Sequence, residues 1–170
     1  MRRVHLALLV VLTLDTPCAT APASTSAVRP VRGNTSDGRA IAVTAEDLAY
    51  CVAVTNRYRA SVRLDPLARS TEAEGYAAAS ARDDHARRKA HSRSSGRNRP
   101  PGAFAENEAL RWTFEQAGGS ARTFIDRALA MMWAEGRGGG HYENIRGPWR
   151  VVGCGLHADR SRITLAQHFR

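Results

Sequence analysis

The stretch from Gly138 to Gly155, GGGHYENIRGPWRVVGCG, constrains this chain more than any other. A glycine run delivers a His-Tyr pair, a turn through Gly147 and Pro148 follows, and an apolar strand ends in Gly-Cys-Gly. Glycine has no Cβ, so glycines around a His and a Cys predict backbone packed closely at a buried junction. A junction of that kind needs a second layer of structure to press against.

The chain has 170 residues, enough for one domain with a real core. It opens with Arg2 and Arg3, an apolar run from Val4 to Leu14, and small residues through Ala21-Pro22-Ala23. That order is the pattern of a secretory signal peptide, with cleavage expected after Ala23. Residues 24–43 are rich in Ser, Thr, Pro, Gly and Ala, lack periodicity, and read as a disordered lead-in. The domain is then expected over residues 44–170. The apolar run is too short for a permanent membrane span, and no other transmembrane candidate is found. The protein is expected to be secreted and extracellular. Cys18, after Asp15-Thr16-Pro17, is a poor site for lipid attachment.

Export would leave Cys51 and Cys154. In an oxidising compartment they can form one disulfide, or they can pack as two buried thiols. Net charge is +9, and loss of residues 1–23, with two arginines and one aspartate, lowers it to +8. That balance suits anionic partners such as membrane surfaces or acidic polymers. Lys89 is the only lysine, so the arginines look like a compositional habit. No nucleic-acid-binding motif accompanies the charge.

Thr44 with Asp47 resembles a capping box and predicts a helix from Thr44 to about Ala60. Leu48, Cys51, Val52, Thr55 and Tyr58 would form its buried stripe, with Asn56, Arg57 and Arg59 off it. Pro66 breaks the helix. Ser70 caps a second helix running to about Ala90, whose inner face is mostly alanine. Ser94 to Gly102 reads as a loop, and Ala105 to Leu110 as a short strand or extended turn. Ser120 caps a third helix, from about Ala121 to Glu135, with Phe124, Ala128, Leu129, Met132 and Trp133 on its core side. Arg150–Leu156 and Arg162–Phe169 read as strands of a hairpin, with Ile163, Leu165, Gln167 and Phe169 on one face. Helices first and a terminal hairpin favour an α+β fold.

His91, Glu106, Glu135 and His141 recur at element ends. Two imidazoles and two carboxylates in one cleft could hold zinc or another divalent metal. Each could equally be a hydrogen-bonded loop residue. There is no His-Glu-x-x-His motif, no nucleophile elbow and no phosphate-cradling glycine loop. Cys154 sits in an apolar strand, where burial makes a thiol inert.

Taken in order, several segments resemble a CAP domain, that of cysteine-rich secretory proteins, antigen 5 and pathogenesis-related 1. They are Asn56-Arg57-Tyr58-Arg59 with Leu64-Asp65-Pro66-Leu67, His91-Ser92, Ala105-Glu106-Asn107, Trp133 with Glu135, Gly140-His141-Tyr142, Gly153-Cys154-Gly155, and Thr164 to Phe169. The resemblance covers residues 51–170. It implies a three-layer α-β-α sandwich with a central antiparallel sheet. It also implies that His91, Glu106, Glu135 and His141 line one cleft, which in some relatives holds a divalent metal such as zinc. Relatives have been linked to sterol and fatty-acid binding, defence and signalling. Ala105 replaces the usual glycine, and Trp133 and Glu135 stand closer together than in many relatives. The second helix lacks the usual leucines, and at most one disulfide can form, as in the leaner bacterial-type versions. Three functions follow as expectations. The first is a binding module for a lipid, sterol or anionic envelope ligand without turnover. The second is a metal-dependent hydrolase, with Glu106 or Glu135 as general base. The third is a purely structural tetrad. Binding ranks ahead of the other two.

Overall fold

The computed structural model describes residues 41–170, so the expected signal peptide and residues 24–40 of the expected lead-in lie outside the described residues. Helix α1 runs Ala45–Ser61 and starts at a complete capping box. Thr44 Oγ1 accepts from the Asp47 amide at 3.2 Å, and Asp47 Oδ2 accepts from the Thr44 amide at 2.9 Å. Strand β1 is Ala68–Arg69, and α2 is Thr71–Arg87, capped by Ser70. Strand β2 (Ala105–Thr113) leads directly into the short helix α3 (Phe114–Ala117). Helices α4 (Ala121–Ala134) and α5 (Gly140–Arg146) follow, then strands β3 (Val151–Ala158) and β4 (Arg162–Phe169).

The sheet order is β1-β3-β4-β2. The three long strands pair antiparallel, as expected, and the two-residue β1 adds parallel to β3, so the sheet is mixed. Helix α2 covers one face, and α1, α4 and α5 form the layer on the other. Side-chain alternation divides the strands between the layers. Val152, Cys154 and Leu156 of β3, with Ile163, Leu165 and Phe169 of β4, join Phe124, Ile125, Leu129 and Met132 of α4 in the main core. Burying each large side chain there contributes roughly 1.5–3 kcal/mol. On the opposite face Ala77 and Ala81 of α2 meet Ala166.

Gly-Cys-Gly on β3 serves both layers at once. A Cβ on Gly153 or Gly155 would lie 2.1 Å from a backbone nitrogen of α2, so these glycines let the helix rest directly on the strand. Cys154 points the other way and forms a disulfide with Cys51 of α1 across a sequence separation of 103 residues. The alanine face of α2 follows from the same close approach.

Five sequence expectations need correction. Ile41 and Val43, placed in the lead-in, are 2 % exposed and belong to the core. Arg59, placed off the buried stripe, is 4 % exposed, because its guanidinium donates to the carbonyls of Asp65, Ile145 and Gly147. Helix α2 stops at Arg87, since Arg88 turns to the left-handed conformation at φ 56°. The segment from Ala105 takes the strand of the two forms expected, but it runs nine residues, to Thr113. The His-Tyr pair sits on helix α5, which Asn144 and Trp149 tie down on its C-terminal side.

Candidate functional site

The turn after α2 is built on three buried carboxylates. Asp84 Oδ1 accepts from the Ser92 hydroxyl and, at 2.8 Å, from the Arg93 amide. Glu108 Oε2 accepts from the His91 amide at 2.9 Å. Glu106 Oε1 lies 3.0 Å from His91 Nδ1 and accepts from Ser94 Oγ at 2.8 Å. These bonds hold His91 in a left-handed backbone conformation, φ 58°.

A second pair forms where α4 ends. Glu135 caps α4 and takes both the amide and Nδ1 of His141. Gly139 permits this: a Cβ there would lie 2.4 Å from Glu135 Cβ. Helix α5 is anchored to β2, where Asn107 Nδ2 donates to the His141 carbonyl at 3.2 Å. Asn144 Nδ2 donates to Asn107 Oδ1 at 2.9 Å and to the Glu106 carbonyl at 3.2 Å.

The four sequence candidates thus become two His–Glu pairs attached to consecutive residues of β2, an edge strand. His91–Glu106 lies on the α2 side and His141–Glu135 on the α5 side. No hydrogen bond joins the two pairs among the described residues. One group of three possible metal ligands, within 4.8 Å of one another, is His91, Glu106 and Glu108, with Glu135 and His141 outside it.

A carboxylate can only accept, so it fixes Nδ1 of each ring as the protonated nitrogen. In the neutral rings Nε2 then keeps its lone pair. His91 is 42 % exposed in its side chain and His141 24 %. The hydrogen bond that His91 donates to Glu106 raises the His91 pKa. Burial works to raise Glu106, but the contacts with His91, Ser80 and Ser94 outweigh it and hold the carboxyl below its usual range. Burial likewise opposes the His141 contacts at Glu135, which win and lower it. At Glu108 burial outweighs the hydrogen bond from the His91 amide and, with Asp84 and Glu106 nearby, pushes the carboxyl up to about 8.

Sequence reading passed over Glu108 and Asp84. Alternation along a strand would have placed Glu108 beside Glu106. Spacing of four along α2 would have placed Asp84 beneath Ser80.

Residues 52–169 match the sequence pattern of the cysteine-rich secretory protein family, CAP. The chain belongs to the CAP family. No curated protein sequence matches this CAP chain. Its fold is similar to that of NaASP2, whose crystal structure was solved with Zn2+, at a TM-score of 0.57 and 17 % identity. The match covers 74 % of this chain and 80 % of NaASP2.

This CAP domain also carries a groove of about 550 Å³ between α1 and α4, lined by Val54, Tyr58, Ala130 and Trp133 with Arg57 and Asp126 at its rim. Tyr58 stacks on Trp133 at 5.1 Å, and Trp133 meets Tyr142 of α5 at 4.4 Å, so the aromatic wall of the groove reaches the helix that carries His141. No helix among the described residues is long and apolar enough to cross a membrane.

Proposed function

We propose that this protein is an exported binding module. Its two His–Glu pairs hold a divalent metal such as zinc, and its α1–α4 groove takes a lipid or sterol. The observation that carries the metal reading is the commitment of both Nδ1 atoms to carboxylates. Metal-bound histidines are ordinarily oriented in this way, with the second nitrogen tied to an acceptor and the first free to ligate. Imidazole and carboxylate donors suit zinc. The crystal structure of NaASP2 with Zn2+ is in keeping with it. A bound ion would supply a positive contact for an anionic ligand group. His91 and His141 would present Nε2, while Glu106 and Glu135 would orient the rings.

Export is supported by the amino-terminal pattern and by the Cys51–Cys154 disulfide, a bond that persists in oxidising compartments. The groove suits an apolar ligand with a polar end, given its aromatic and aliphatic wall beside Arg57 and Asp126.

Elemental analysis of the purified protein, followed by Zn2+ calorimetry on wild type, His91→Ala and His141→Ala, tests the metal. Wild type is expected to bind and each variant to lose at least tenfold in affinity. Failure of wild type to bind, or unchanged binding in both variants, overturns it. Titration with a fluorescent fatty acid and a fluorescent sterol tests the groove. Saturable binding that Ala130→Trp abolishes is expected, and binding of neither probe removes the lipid reading.

A further inference from the structure

Tyr76, Ser80 and Asp84 recur every four residues and share one face of α2. Opposite them stand Glu106 and Glu108 of β2, and His168 of β4, which is the register partner of Glu106. Tyr76 and His168 rings lie 4.7 Å apart. This seam gathers buried polar atoms that find no hydrogen-bond partner in the protein. They are Tyr76 Oη, Ser80 Oγ, Asp84 Oδ2, Arg93 Nε, Glu106 Oε2, Glu108 Oε1 and both ring nitrogens of His168. An unpaired buried polar group costs about 1–3 kcal/mol. Such a collection rivals the roughly 5–15 kcal/mol by which a whole domain is stable. The seam is therefore built to receive something.

The three carboxylates show what. Asp84, Glu106 and Glu108 each commit one oxygen to the turn at residues 91–94 and leave the other unpaired in the interior. Asp84 is 0 % exposed, Glu108 5 % and Glu106 8 %. Ser80, 0 % exposed, approaches Glu106 without good hydrogen-bond geometry. Arg93, the cation at the edge of the seam, has its Nη1 engaged by Asp83. His91 pairs with the other oxygen of Glu106 and Arg93 with Asp83, so neither cation reaches the inward oxygens; leaving these buried and unpaired is costly, and a metal ion is the compact way to satisfy them.

We propose that this seam binds one divalent cation of the oxygen-preferring class, Mn2+ or Ca2+, through the free oxygens of Glu106 and Glu108, with Ser80 adding a hydroxyl from α2. The ligand atoms of Glu106, Glu108 and His91 already lie within 4.8 Å of one another. Oxygen-rich sites of this kind select such ions over zinc. The bound ion would fasten α2 to the edge strand and stiffen the turn that carries His91. The inference does not depend on metal binding at His141.

The test is Mn2+ titration of the chelator-stripped full chain, with free Mn2+ read by electron paramagnetic resonance. Wild type, Glu108→Gln, Ser80→Ala and His141→Ala are compared, with near-ultraviolet circular dichroism as the check on folding. One Mn2+ per chain is expected in wild type and in His141→Ala. Glu108→Gln should weaken binding at least tenfold, and Ser80→Ala, which serves if Glu108→Gln does not fold, at least threefold. Zn2+ binding should show the reverse sensitivity to His141→Ala, which separates this site from the paired histidines. Absence of Mn2+ binding by wild type would mean that water and shared protons fill the seam, and would overturn the proposal. Loss in His141→Ala equal to that in Glu108→Gln would overturn it too, as would unchanged affinity in folded Glu108→Gln and Ser80→Ala.

Discussion

Gly155→Ala tests how the layers of this protein are held apart. An added Cβ would sit 2.1 Å from the Ala78 amide nitrogen and 2.3 Å from the Ala77 carbonyl carbon. Ordinary contact begins near 3.4 Å, so helix and strand would have to separate by about 1.3 Å. The obstacle is main chain, and no rotamer change relieves it. Moving α2 outward would part Ala77 and Ala81 from Ala166 and loosen the seam beneath Tyr76 and Ser80. Overpacking costs about 1–3 kcal/mol where side chains can yield. With backbone on both sides the upper end applies, about 3 kcal/mol. At about 3–5 °C per kcal/mol for a domain of this size, the melting temperature should fall by about 10 °C in circular dichroism scans of the oxidised protein. Gly75→Ala is the control on the same helix. Its Cβ would meet nothing within 4 Å, and alanine should stabilise the helix by about 0.5–1 kcal/mol. A drop of less than about 2 °C in Gly155→Ala would show that the helix does not rest on the strand as described.

Three further outcomes are expected. Removing the disulfide with Cys51→Ala and Cys154→Ala should cost about 4 kcal/mol in urea unfolding, the loop it closes being long; a loss under about 1 kcal/mol would contradict this. Arg59→Met should cost about 3 kcal/mol, since three carbonyls lose their donor, and equilibrium unfolding at the stability of wild type would rule that out. Burial holds the His168 ring, packed between Tyr76 and Phe104 with Glu106, Glu72 and Arg170 nearby, at about 4 instead of 6.5. The folded protein therefore takes up this proton less readily than the unfolded chain, and stability should decline as pH falls from about 6.5 through 4, by roughly 3 kcal/mol in all. His168→Leu should flatten that acid limb, and an equal slope in both proteins would refute the assignment.

What the sequence revealed was local. Thr44 with Asp47 announced a helix start because both partners of the capping box lie within one turn. Alternation in Ile163, Leu165, Gln167 and Phe169 was visible because a strand's period is two, and all four side chains are fully buried. Helix α5 was hidden because it starts in a glycine run and spans only seven residues, too few to establish a period. Its position comes from Asn107 and Asn144, a contact across 37 residues. Arg59 misled for a related reason. Its charge suggests solvent, yet the carbonyls that receive it come from segments that only the fold brings near. Of the site, the residue types were legible. The pairing of His91 with Glu106 and of His141 with Glu135 was not, because each depends on where a turn ends.

One buried polar row explains how both pairs can stand on the same strand. Gln167 of β4 donates to Thr55 of α1 at 2.7 Å and accepts from Asn107 of β2 at 3.2 Å. Asn107 in turn accepts from Asn144 and donates to the His141 carbonyl. The row runs from α1 through two strands to α5, inside an otherwise apolar layer. A slip of β2 against β4 by one residue would turn Asn107 toward α2 and drive Glu106 and Glu108 into the core. Hydrogen bonds are directional, and leaving Asn107 and Gln167 unpaired in that layer would be costly, so the row admits a single register. That register sends the two carboxylates to the His91 side and the amide to the His141 side. The polar row is therefore what converts a strand's alternation into a site with two halves.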